Sequence, residues 1–174
     1  MAATLLWAVG SSQAGLKPHA SVPSTAIVEL RQYTLQPGKR DVLIELFDRE
    51  FLETQEAVGM TVIGQFRDLD NPDRFVWLRG FPDMATRAAG LNAFYGGPSW
   101  SAHRAAANAT MIDADNVLLL EPASSAAAIS LDWPRPETPS TEGDGHLVVA
   151  TIYYPQLEDI HQFAGFFAKS VRPV

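Results

Sequence analysis

The chain has 174 residues, of which 47% are hydrophobic and 19% are charged, and it contains no cysteine. This length suits one compact domain of about 100 to 150 residues with an appendage, and the lack of cysteine excludes disulfides and thiolate metal sites. Acidic residues outnumber basic residues by 20 to 13, so the net charge is -7. This charge does not favour binding to nucleic acid or to anionic lipid. The composition predicts a soluble, globular protein.

The first two dozen residues, 1–24, predict an unstructured or loosely docked extension. Their short apolar run lacks the preceding positive charge of a signal peptide, because the first basic residue is Lys17. We therefore expect a cytoplasmic location, with secretion as the alternative. No stretch of the sequence approaches the roughly 20 apolar residues that a membrane span requires.

Residues 25–122 have the apolar periodicity of a folded domain. Alternating or continuous apolar patterns predict four strands, at residues 27–35, 61–67, 74–81 and 116–120. Helical spacing predicts three helices, at residues 39–58, 84–94 and 99–110. We expect the last strand to be covered on both faces, because its apolar run is unbroken. The order β-α-β-β-α-β predicts an α+β, ferredoxin-like unit whose sheet carries helices on one face and leaves the other open.

A second unit is predicted to begin after a linker. Residues 123–145 are rich in Pro, Ser, Thr and Gly, which is typical of a linker, although Trp133 predicts that part of it docks on the domain. Residues 146–174 predict one strand, at 147–154, and one helix from about residue 157. At an offset of 120 positions this tail resembles the first strand and helix, so we expect the truncated start of a second ferredoxin-like repeat.

Three segments resemble the NIPSNAP family. They are ELRQYTLQPGKRDVLIELF at residues 29–47, FVWLRGFPD at residues 75–83 and FYGGPSWSAHRAAANATMIDADNVLLL at residues 94–120. The resemblance implies a dimeric α/β-barrel, in which the open sheet faces of two units close on each other. We therefore expect self-association, either as a homodimer or by barrel closure with the second repeat. The wider superfamily includes cofactor-independent monooxygenases and isomerases, so the resemblance specifies the fold more closely than the chemistry.

Polar residues on two predicted strands form the candidate ligand-binding surface. Glu29, Arg31 and Tyr33 share one strand face, which we expect to lie opposite the helices in the barrel interior. Trp77 and Arg79 share a face of the third strand, and a guanidinium between aromatic rings suits a carboxylate, phenolate or enolate. The alternative is that the charged residues only pair with one another and that Trp77 is a core residue.

His103 is the candidate proton acceptor, because it is the only histidine of the core domain. We predict Arg79 and His103 as catalytic residues, with the arginine stabilising a developing anion while the histidine takes the proton. The alternative is a hydrogen-bonded, structural histidine. The predicted ligand-binding residues are Glu29, Arg31, Tyr33, Gln65, Trp77 and Trp100.

These residues predict a protein that binds a small planar or anionic organic molecule in a barrel cleft. Cofactor-independent monooxygenase- or isomerase-like chemistry is one extension of this prediction, and a non-catalytic interaction module is the alternative. No histidine pair has metal-ligand spacing and no phosphate or dinucleotide motif is present, so we expect neither metal nor cofactor. We also expect no nucleic-acid or membrane partner.

Overall fold

A computed structural model describes residues 25–124, 127–129, 131 and 147–170. The strands are β1 (Ile27–Leu35), β2 (Thr61–Arg67), β3 (Arg74–Phe81), β4 (Met111–Asp113) and β5 (Val117–Leu120). The helices are α1 (Arg40–Leu46), α2 (Leu52–Glu56), α3 (Met84–Tyr95), α4 (Pro98–Asn108) and α5 (Ile160–Ser170). The predicted extension, residues 1–24, and most of the predicted linker, including Trp133, lie outside the described residues.

The strands form one antiparallel sheet in the order β2-β3-β1, and both β4 and β5 pair with the remaining edge of β1. This arrangement confirms the ferredoxin-like prediction. The short strand β4 was not predicted, and a register shift at Thr34/Leu35 lets β1 pair with β4 and β5 in succession. The prediction that β5 is covered on both faces is wrong, because Leu119 and Leu120 are 49% and 41% exposed on an edge strand.

The first predicted helix is interrupted by a π-helical turn at Phe47–Phe51, between α1 and α2. Its buried residues Leu43, Phe47, Phe51 and Gln55 follow one another at intervals of four. In a regular α-helix such a row drifts by about 40° at each step and leaves the buried face. The wider π turn absorbs this drift, so all four side chains face the sheet. Gly59, whose φ is 85°, then ends the segment as predicted.

The second helical region also follows its prediction. Asp83 caps α3 by accepting a hydrogen bond of 2.6 Å from the backbone N–H of Thr86. The chain breaks at Gly96 and Gly97 and resumes as α4, with Pro98 in its first turn. The break lets two short helices cover the sheet beside the π turn.

The structure corrects the predicted orientation of β1. Tyr33 and Trp77 pack edge-on within 5.9 Å of each other, and Trp77 lies 4.8 Å from the ring of Phe47 in the π turn. Glu29 and Arg31 share this face by strand alternation, so they lie beneath the helices and not on the open face. The expectation failed because the opposite face of β1 is apolar, while the charged residues are buried together as ion pairs.

The other face of the sheet carries no helix among the described residues. Val28 and Leu30 lie on it, and β3 and β5 add Leu78 and Leu118 at paired positions of the register. At one end, the side chain of Thr25 lies so close to Gly80 that a Cβ there would come within 2.8 Å of the Thr25 Cβ. Thr25 therefore covers part of this face beside Gly80.

The predicted strand at residues 147–154 is wrong. These residues form neither helix nor strand, and their large apolar side chains are exposed, including Val149 at 77% and Tyr154 at 77%. A strand requires a neighbour for its backbone groups, and no described segment offers one here. The helix predicted from about residue 157 is present as a 3₁₀ turn at Leu157–Asp159 followed by α5. Within the described ranges, no helix has the length and apolar character needed to cross a membrane.

Candidate functional site: a cleft between sheet and helices

A small cleft, partly open to solvent, lies between the helix-covered face of the sheet and the helices, with a volume of about 40 Å³ for the centres of water-sized molecules. Its walls are mostly aromatic, and five of its lining residues carry a polar group. The lining residues are Tyr33, Leu43, Phe47, Phe51, Gln55, Trp77, Phe94, Tyr95, Trp100, Ala107 and Met111. Apolar walls with a few convergent polar groups are typical of a small-molecule site.

A buried charge cluster lies beside this cleft. Glu29 is fully buried and accepts hydrogen bonds from three arginines on three different elements. Arg31 of β1 donates at 2.9 Å, Arg79 of β3 at 2.8 Å and Arg87 of α3 at 2.7 Å. One carboxylate thus faces three guanidiniums, so these four side chains together carry a net positive charge.

The charges of the cluster stabilise one another. Burial alone would raise the pKa of Glu29, but the three arginines outweigh it and hold that pKa below its ordinary value of 4.5. Burial opposes the charge of Arg31 as well, yet interactions with Tyr33, Tyr95 and Glu29 raise the pKa of its guanidinium. Both groups are therefore ionised throughout the neutral pH range.

Arg79 is buried beside the cleft and is hydrogen-bonded there. Its side chain is only 1% exposed, and it donates to Gln55 Oε1 at 3.0 Å as well as to Glu29. The guanidinium carbon lies 5.1 Å from the ring centre of Trp77 and 6.0 Å from that of Tyr95. Arg79 therefore supports the cleft through Gln55 and two lining aromatic rings.

Tyr33 lines the cleft and carries a hydroxyl group. Its oxygen accepts a hydrogen bond of 3.0 Å from Arg31 Nε, so its own proton is free to be donated elsewhere. Burial raises the pKa of Tyr33, and Arg31 offsets this only in part. The phenol is therefore neutral at physiological pH and keeps a proton that it can donate.

Gln65 and Trp77 each carry a buried polar atom without a partner. Among the described residues, these atoms are Gln65 Oε1 and Trp77 Nε1. The amide nitrogen of Gln65 donates at 2.6 Å to Asp48 Oδ1 in the π turn. Unpaired buried polar atoms are uncommon and point to a missing partner.

His103 lies at the edge of this region. Its Nε2 is 3.2 Å from Glu50 Oε2 in the π turn, and its ring packs edge-on against Phe51 at 6.4 Å. The hydroxyl of Ser99 donates to the backbone oxygen of Glu50 at 2.8 Å. These contacts join α4 to the π turn.

The structure brings together part of the predicted site. Tyr33, Trp77 and Trp100 line the cleft, whereas Glu29, Arg31, Arg79, Gln65 and His103 do not belong to its lining. The alternative of mutual ion pairs among the charged residues is realised. Sequence reasoning missed Gln55, Tyr95 and Arg87. The spacing of four residues between Phe51 and Gln55 was a sequence signal that could have indicated Gln55. No sequence signal indicated Arg87. No group of described residues has the composition of a metal site.

Comparison with known proteins identifies the domain. The family model described as NIPSNAP matches residues 28–126. The chain belongs to the NIPSNAP family. A search of curated proteins found no match.

Solved structures of the same family share the fold. An uncharacterized NIPSNAP-like domain protein from Burkholderia xenovorans is 25% identical, with a TM-score of 0.51 over 65% of this chain and 91% of that one. An uncharacterized NIPSNAP domain protein from the same organism is 20% identical over 55% of this chain and 93% of that one, with a TM-score of 0.51. A NIPSNAP family protein from Agrobacterium tumefaciens is 22% identical, with a TM-score of 0.51 over 55% of this chain and 84% of that one.

Proposed function

We propose that this NIPSNAP domain binds a planar aromatic organic anion in the cleft between its sheet and its helices. The observation that carries the proposal is the cluster of three arginines around Glu29, which adds uncompensated positive charge beside an aromatic cleft. The aromatic walls would contact the faces or edges of a flat ligand. The positive charge would favour a carboxylate, phenolate or enolate over a neutral group.

The lining supports the same ligand class through its hydrogen-bonding groups. Tyr33 offers an O–H and Trp77 an unpaired N–H, and both groups can donate to an oxyanion. The lining contains no carboxylate that would repel an anion. Arg31, which is 13% exposed, donates a hydrogen bond to the Tyr33 oxygen. This bond makes the Tyr33 O–H a stronger donor.

The proposal is a binding function and includes no reaction. Arg79 and His103 stay a prediction as catalytic residues, because Arg79 directs its donors to Glu29 and Gln55 while His103 pairs with Glu50. Proton transfer requires a group within hydrogen-bond reach of the ligand. Monooxygenase- or isomerase-like turnover in this cleft would have to use Tyr33 or Tyr95, the titratable residues of its lining.

Calorimetric titration with 2-naphthoate and its neutral analogue 2-naphthamide tests the proposal. We expect the anion to bind about tenfold more tightly, which is the effect of one charge-assisted hydrogen bond. Arg31→Met should abolish this preference while leaving Glu29 two arginine partners. Arg67→Met removes the same charge from an exposed pair and should keep the preference. Equal affinities for the two compounds, or an unchanged preference in Arg31→Met, would refute the proposal.

We also propose that the chain forms a homodimer through the open face of its sheet. Apolar residues occupy that face on β1, β3 and β5, and Val76 lies at its centre, opposite Gln32 and Phe66 on the neighbouring strands. Val28 and Leu30 are already buried there, but Leu120 is 41% exposed and Val76, Leu78 and Leu118 are half-buried, so the rest of the face is an apolar surface that favours association. Light scattering should give twice the chain mass of 19.0 kDa, and Val76→Lys should halve it. A monomeric wild-type protein would exclude the dimer.

Cytoplasmic location stays a prediction, which fractionation of expressing cells would check.

A further inference from the structure

The arginines around Glu29 have hydrogen-bond donors that the cluster does not use. Arg31 engages Nε with Tyr33 and Nη1 with Glu29, while Arg87 engages Nε and Nη2 with Glu29. Arg31 Nη2 and Arg87 Nη1 have no hydrogen-bond partner among the described residues. Arg79 differs from both, because each of its side-chain nitrogens has a partner inside the protein. Two of the three arginines therefore keep free N–H groups.

The free nitrogens of Arg31 and Arg87 are open to solvent. Within the described ranges, the buried side-chain nitrogens and oxygens that lack a partner belong to two other residues. The side chains of Arg31 and Arg87 are 13% and 26% exposed. The sheet edge beside them is open as well, since Leu119, the register partner of Glu29 on β5, is 49% exposed. A dissolved ion can therefore reach the free N–H groups without entering the cleft.

The carboxylate of Glu29 holds the two guanidiniums close together. Arg31 Nη1 lies 2.9 Å from Oε2, and Arg87 Nε lies 2.7 Å from Oε1 of the same carboxylate. These two nitrogens are therefore at most about 8 Å apart. An oxyanion that accepts hydrogen bonds of about 2.8 Å through two of its oxygens spans a similar distance. One oxyanion is thus large enough to contact both arginines.

The charge of the cluster selects the kind of oxyanion. Three guanidiniums and one carboxylate leave two positive charges, and the register neighbours of the cluster on β5, Val117 and Leu119, are uncharged. A carboxylate would neutralise only one of these charges. A phosphate monoester carries about 1.5 to 2 negative charges at neutral pH and has three strong acceptor oxygens.

We propose that Arg31 and Arg87 form a surface site for the phosphate group of a small phosphate monoester. Neither arginine belongs to the lining of the cleft, so the site is separate from it. Glu29 and the buried Arg79 are positioning residues, which hold the two outer arginines and supply part of the charge. The inference goes beyond the proposed function, because it requires no aromatic ligand.

The test uses two phosphates that have no ring and therefore lack the group that the cleft is proposed to bind. Calorimetry at constant ionic strength would measure the binding of methyl phosphate and of dimethyl phosphate, which carries one negative charge and one acceptor oxygen fewer. We expect methyl phosphate to bind with a Kd of about 1 mM or lower, and at least about tenfold more tightly than the diester.

Variants assign the binding to the two arginines. Arg87→Met leaves Glu29 paired with Arg31 and Arg79, and it should weaken methyl phosphate binding at least about tenfold. Arg104→Met is the matched control, because it removes the same charge from an exposed position on α4 and should change the affinity less than about threefold. Thermal unfolding by circular dichroism checks that the variants are folded. Arginine Nε spectra of the wild-type protein need no variant: methyl phosphate should shift the signals of Arg31 and Arg87 but not that of Arg104.

Each outcome decides for or against the site. Equal affinities for the two phosphates, wild-type affinity in Arg87→Met, or unshifted Arg31 and Arg87 signals would overturn it. If methyl phosphate binds as expected and 2-naphthoate does not bind, the site stands and the proposed function fails.

A competition experiment tests whether the site is separate from the cleft. Both anions draw on the same positive charge, so methyl phosphate should weaken the binding of 2-naphthoate to a limit that further addition does not change. Weakening without such a limit would show that the two anions share one site, and it would overturn the inference while the proposed function stands.

Discussion

Replacing Glu29 by glutamine should destabilise the fold severely. The side chain is 0% exposed and holds three arginine side chains, of which Arg31 is 13% exposed, Arg87 26% and Arg79 only 1%. Without the carboxylate, Arg31 and Arg87 can turn toward water, whereas Arg79 stays buried with an uncompensated charge. Removing one partner of a buried ion pair costs about 3 to 5 kcal/mol, and we expect Glu29→Gln to fall in this range.

Urea unfolding followed by circular dichroism measures this cost and assigns it to Arg79. If the buried guanidinium dominates, the double variant Glu29→Gln/Arg79→Met should recover at least about 2 kcal/mol relative to the sum of the single variants. Asp41→Asn is the control, because it breaks an exposed pair with Arg67 and should cost less than about 1 kcal/mol.

Two results would refute the reasoning. A loss below about 1 kcal/mol for Glu29→Gln would mean that the three arginines do not depend on this carboxylate. Additive effects of the two substitutions would mean that the buried charge of Arg79 is not the source of the cost.

Three further predictions follow. The pKa of Glu29 in the folded protein is held below 4.5, so its ion pairs stabilise the fold above that pH. In urea titrations, the difference in unfolding free energy between wild type and Glu29→Gln should therefore shrink as the pH falls toward 3. Gly59→Ala should cost about 1 to 2 kcal/mol, since its φ of 85° disfavours any side chain, and an alanine that proves neutral in the same assay would contradict this. Gly80→Ala should lower the melting temperature, because the added Cβ collides with Thr25. In the double variant Gly80→Ala/Thr25→Gly, much of this loss should be recovered. No recovery in the double variant would exclude that contact as the cause.

The strands and the helix break could be predicted because their signals are local. β1, β2 and β3 have the predicted ends, since alternation and turn residues at the neighbouring positions determine them. The side of the sheet that faces the helices could not be read from β1 alone, because Val28 and Leu30 are as buried as Tyr33. A strand with both faces buried does not reveal which face the helices cover.

The site was predicted only in part because it depends on contacts between distant elements. Tyr33, Trp77 and Trp100 were found, since aromatic residues at regular spacing are visible in the sequence. Arg87 reaches Glu29 from a separation of 58 positions, and no local pattern indicates such a pairing. For the tail, the resemblance to β1 predicted a strand, but a strand forms only where a neighbouring strand pairs with it.

The π turn makes one region of the first helical segment tolerant of changes in length. Leu43 and Gln55 are twelve positions apart, a separation that would place them about 120° from each other on a regular α-helix. Deleting the exposed Arg49 would convert the turn to α-helix and leave a separation of eleven, which brings the two side chains within about 20° of each other. Length variation among relatives of this domain should therefore concentrate at the π turn.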